Sequence, residues 1–197
     1  MLDLPTGFPV PTVCEILDTI KALSHHKSKV YFAGGDVEYG FDFRDACTQK
    51  QVEELEKSIG YKLPNDYKQF LLYTNGLELS TNYISSRLCC MDEIYQIISI
   101  FDMRPDKFLV IGECAGASVH VAINLAEEGK RNIYIVDIIA DEHFHRLNCD
   151  FRTYLDRFIA TYGDTFWEWG AVETDIKQSV EENGWSKGCG IIGGEFW

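Results

Sequence analysis

A chain of 197 residues, 46% of them hydrophobic, suits one domain with extensions and has ample apolar material for a single core. A formal charge of −13 and an isoelectric point near 4.7 argue against direct binding to nucleic acid phosphates and for attraction of basic proteins, although acidic surfaces also serve solubility alone. No run approaches the ~20 apolar residues of a membrane span and no apolar secretory run opens the chain, so a cytoplasmic protein with seven reduced cysteines is expected.

Residues 1–11 hold Pro5, Pro9 and Pro11 with Gly7, a density that resists regular structure and predicts an extended lead-in. Thr12 and Glu15 then form a capping box, and Val13, Ile16, Leu17, Ile20 and Leu23 recur at helical spacing, which predicts a helix over 13–24. His25 and His26 follow at its end, where an imidazolium suits the helix dipole better than two adjacent, diverging side chains suit a metal. In 30–43 a Gly-Gly-Asp step precedes Tyr39, Phe41 and Phe43 alternating with Gly40 and Asp42, the pattern of a hairpin. These elements make an N-terminal extension, residues 1–47.

A second capping box, Thr48 with Gln51, opens a helix whose apolar stripe is Val52, Leu55 and Ile59, and Gly60 ends it. Pro64 suits the first turn of another helix, with Asn65 and Asp66 beside its free amides. Tyr67, Phe70, Leu71 and Thr74 share one face of that second helix, and Asn75-Gly76 close it. The run G-x-x-LP-x-x-Y-x-x-F-L followed by NG, carried by Gly60, Leu63, Pro64, Tyr67, Phe70, Leu71, Asn75 and Gly76, with Val52, Leu55 and Glu56 before it, resembles the SMI1/KNR4 family, also called the SUKH superfamily. The resemblance extends over roughly 48–162. It implies an α+β domain. For bacterial members it implies an immunity protein that binds and neutralises a cognate toxin; fungal members are scaffold-like proteins of cell-wall signalling. The motif residues read as fold determinants, so the resemblance carries over no active site.

Beyond Gly76, 82–88 is polar and reads as loop, whereas 91–103, rich in Ile, Tyr and Phe, reads as containing a strand, with a helical turn as the alternative at its start. Lys107–Cys114, Val119–Leu125 and Asn132–Ile139 are short apolar runs bounded by Pro105, Gly116 and Gly129. Both faces of the first and third are apolar, as in central strands covered on two sides. Their short connections require antiparallel neighbours. Asp150 can cap a closing helix that buries Phe151, Tyr154, Leu155, Phe158, Ile159 and Tyr162 and ends at Gly163. The expected fold is therefore α+β: one domain, residues 48–162, with an antiparallel, mostly meander sheet packed by helices.

The tail, 163–197, holds all four tryptophans, Trp167, Trp169, Trp185 and Trp197, with many acidic residues and glycines. An acidic, aromatic tail makes a physically sensible contact for a basic protein. Simple packing of Phe166, Trp167 and Trp169 on the domain is the plainer reading for those three.

Signals of chemistry are weak. Asp141, Glu142, His143 and His145 have the donor types of a metal site but no recognised ligand spacing, and they read as a polar hairpin tip. Cys89-Cys90 lacks the spacing of a redox pair. Cys114 and His120 would make a thiolate and base only if the fold joined them, and no orienting third group is evident. The glycines at 188–194 lack the context of a phosphate loop. The sequence thus points to a non-enzymatic protein-binding module without cofactor or metal, an immunity protein for a basic, nuclease-like toxin. An intracellular scaffold is the alternative, and a metal- or cysteine-dependent hydrolase a third. The expected contact residues are Glu127, Glu128, Asp141, Glu142, Glu181, Glu182 and Trp185.

Overall fold

The computed structural model describes residues 10–24, 28–32, 35–81, 85–101, 107–114, 119–127, 131–137 and 144–168. Their chain order is α1 (Val13–Ser24), β1 (Ser28–Phe32), β2 (Gly35–Phe43), α2 (Gln49–Ile59), α3 (Asn65–Tyr73), β3 (Leu77–Thr81), β4 (Ser85–Leu88), α4 (Met91–Phe101), β5 (Phe108–Glu113), β6 (Val119–Asn124), β7 (Ile133–Asp137), β8 (Phe144–Arg146) and α5 (Phe151–Ala160), with a 3₁₀ turn at Phe166–Glu168. The strands form a single sheet in the order β1 to β8, every neighbouring pair antiparallel, so the fold is an α+β meander.

Helix starts follow their capping chemistry. The Thr12 N–H donates to Glu15 at 2.7 Å and the Glu15 N–H to the Thr12 hydroxyl at 3.3 Å. Thr48 and Gln51 make the same reciprocal pair at α2, and Gly60 ends that helix at φ 76°. Asp150 accepts from the Thr153 N–H at 2.8 Å and opens α5. His25 and His26 lie outside the described residues.

Register explains the layering. Phe43, Leu77, Leu88, Gly112, Val121, Ile135 and His145 form one row across seven strands. This face meets the helices, whose Leu17, Leu55, Phe70 and Phe158 share one core with Leu77, Leu88, Val121 and Ile135. The alternate row, Asp42, Glu78, Arg87, Glu113, His120, Val136 and Phe144, lies on the other face. There Arg87 pairs with Glu113 at 3.0 Å and Glu93 at 3.2 Å, partly exposed bridges of modest value. Both faces of β5–β7 are buried: Val110, Ala122 and Val136 on this side complement Leu109, Val121 and Ile135 on the other. Phe108 stacks on Phe144 with ring centroids 3.8 Å apart and meets the Tyr134 ring edge-on.

Three segments differ from their sequence reading. Residues 91–101 are a helix, not a strand, because its start is fixed from two sides: Glu93 accepts the Cys90 N–H at 2.7 Å, and the Asn75 side chain accepts the Met91 N–H at 2.7 Å. Ile94, Ile97 and Ile98 then reach the core at helical spacing. The polar run before it contains strand β4, where Ser86 and Leu88 are buried between half-buried Arg87 and exposed Ser85. Ser86 satisfies its hydroxyl by donating to the Gly163 carbonyl at 2.7 Å. At 144–146 the chain forms β8, not a hairpin tip, and His145 is buried opposite Ile135.

Gly76 shows how tightly the motif is built. Its φ is 98°, and an added Cβ would lie 3.0 Å from the Leu88 carbonyl oxygen and 3.1 Å from the Cys90 nitrogen. Gly76→Ala is expected to cost about 2–3 kcal/mol from the left-handed backbone and the backbone contact together, read as a lower urea midpoint with an unchanged m-value.

Candidate partner-binding groove

The turn joining α2 to α3, residues 60–66, is anchored by one carboxylate. Glu56, only 6% exposed, accepts the Leu63 N–H at 2.9 Å, Lys62 Nζ at 2.6 Å and Lys68 Nζ at 3.0 Å. Burial by itself raises the pKa of Glu56, but the hydrogen bonds from Lys62, Leu63 and Lys68 outweigh it and hold the carboxyl at about 2. Pro64 then opens α3, whose Tyr67, Phe70 and Leu71 are buried. The Tyr67 ring meets Phe151 of α5 edge-on at 4.9 Å, and Phe70 does so at 5.3 Å.

This clamp brings the two helix N-termini together. Asp66 accepts the Tyr67 N–H at 2.9 Å through one carboxylate oxygen and the Arg152 N–H at 3.1 Å through the other. Burial raises the Asp66 pKa above its usual range, and the charge of Asp150 adds to the effect, while the two amide donors oppose it. Between these helix ends and the β6–β7 end of the sheet runs an open groove of about 710 Å³, lined by residues 60–66 with Asn124, Leu125, Glu127, Asn132 and Asp150. On the sheet side Glu127 accepts the Tyr134 hydroxyl at 2.8 Å and is paired with Arg146. A second crevice, lined by Ile59, Tyr61, Ile98, Lys107, Phe108, Leu109 and Leu125, holds only about 20 Å³.

Of the contact residues expected from sequence, Glu127 alone is described, at the groove; Glu128, Asp141, Glu142, Glu181, Glu182 and Trp185 lie outside the described residues, as does His143. Asp66 and Asp150 read in the sequence only as helix caps, and Asn132 gave no signal. The motif residues hold the scaffold: Gly60 and Gly76 take positive φ, Leu63, Tyr67, Phe70 and Leu71 are buried, and Asn75 starts α4. Phe166 and Trp167 pack into the core.

The alternative chemistries find no geometry in the described residues. Cys114 faces α5, its sulfur 3.9 Å from the Tyr154 hydroxyl, whereas His120 occupies the opposite face beside Glu113 and Val136. Burial pushes the Cys47 thiol up to about 11 and the Cys89 and Cys149 thiols up to about 12, away from thiolate reactivity. Six cysteines, 14, 47, 89, 90, 114 and 149, are unbridged. Among the described residues no three His, Cys, Asp or Glu side chains are grouped to hold a metal ion, and no helix is long and apolar enough to cross a membrane.

Comparison with known proteins agrees with this architecture. The model of the SMI1 / KNR4 family (SUKH-1) matches residues 46–157. The chain is similar to three proteins of Bacillus subtilis. It is 26% identical over 129 residues to the uncharacterized protein YnaB, covering 65% of this chain and 87% of that protein. To the uncharacterized protein YobM it is 25% identical over 175 residues, 80% of this chain and 91% of that one. To a protein named immunity protein YxxD it is 30% identical over 103 residues, 46% of this chain and 69% of that one.

Proposed function

The chain belongs to the SMI1/KNR4 family (SUKH-1), and from that membership we propose that it is an immunity protein, a cytoplasmic binding module that docks on a cognate toxin and blocks it without chemistry of its own. The observation that carries the reading is the likeness to a relative named as an immunity protein, 30% identical over 103 residues. Charge supports the choice of partner. A chain at −13 attracts a basic toxin domain such as a nuclease, whose phosphate-binding face is itself positive. Unbridged cysteines in the core fit a reducing compartment.

The test is affinity capture of the tagged chain from native lysate, washed at low and then high salt, followed by inhibition of the captured partner with purified protein. A near-stoichiometric partner with a toxic terminal domain that the protein silences supports the reading; a signalling assembly with no toxic member overturns it. Once a partner is in hand, the association rate is expected to fall by about tenfold or more between low and high salt, while dissociation changes little. A salt-independent association rate would remove electrostatic steering from the account.

A further inference from the structure

We draw no further inference here: the strongest candidate, the face of strands β2–β5 turned away from the helices, where Asp42 and Glu78 lie in one row with Arg87 and Glu113, offers only a cluster of carboxylates beside an arginine already paired with Glu93 and Glu113, and nothing among the described residues shows what covers it.

Discussion

Glu56→Ala is expected to destabilise the protein by about 3 kcal/mol, since it strands a buried backbone donor and a partly buried ammonium at once. The Leu63 N–H loses its acceptor and Lys68, 26% exposed, loses its counter-charge; the Lys62 contact, 82% exposed on the lysine side, adds little. Glu56→Gln keeps an acceptor for Leu63 and should recover about half of the loss. Acid titration separates charge from hydrogen bond. The Glu56 pKa is depressed to about 2 in the folded chain, against about 4.3 in an unfolded one. Its contribution is therefore complete above the unfolded value and disappears as pH falls through the folded one. Urea midpoints of the parent should drop between about pH 4.5 and pH 2 more steeply than those of Glu56→Gln. Asp66 works with the opposite sign: its raised pKa favours the folded state below its unfolded value and withdraws that contribution as pH rises. Parallel pH profiles for parent and Glu56→Gln would show that the carboxylate charge at the turn does not matter.

Local chemistry in the sequence was enough to place α1, α2, α3 and α5, because their starts and stops are written within a few residues: Thr12 with Glu15, Thr48 with Gln51, Gly60 before Pro64, Asp150 before Phe151. Strands β5, β6 and β7 were legible from apolar alternation between glycines. Helix α4 was not. Its isoleucines favour a strand, and of the two acceptors that fix its start, Glu93 and Asn75, the second lies 16 residues earlier on another turn. Strand β4 was hidden by Ser86, a polar residue whose burial depends on a carbonyl 77 positions away. His145 read as surface because a polar residue near acidic neighbours gives no hint that β7 will carry it under the helices. The groove was illegible for the same reason: Asp66 and Arg152 meet across 86 residues, and each aspartate in isolation explains itself as a cap.

Phe151→Ala should be the most costly single substitution in the α3–α5 contact, at about 4 kcal/mol. Phe151 is fully buried and touches two rings edge-on, Tyr67 at 4.9 Å and Phe70 at 5.3 Å, so truncation loses apolar burial, leaves a cavity and removes two favourable ring geometries. The Tyr67 and Phe70 rings stack at 6.0 Å and brace each other, which limits how far the site can collapse. Tyr67→Phe tests the same cluster in the other direction. Its hydroxyl is buried with no hydrogen-bond partner among the described residues, so deletion removes an unsatisfied group and should raise stability by up to about 1 kcal/mol. Because Phe70 and Phe151 are in contact, the pair Phe70→Ala with Phe151→Ala should cost less than the sum of the singles by about 1 kcal/mol, whereas Glu56→Gln with Phe151→Ala, which share no contact, should add. Phe151 directly follows Asp150, the N-cap that lines the groove, so the ring that seals the core also sets one wall of the groove. Phe151→Leu, which refills most of the volume, should restore most of the stability while leaving α5 less well fixed. Partner affinity that recovers in full with stability would place the groove wall under the control of packing volume; affinity that lags behind it would assign the wall to the aromatic contacts with Tyr67 and Phe70.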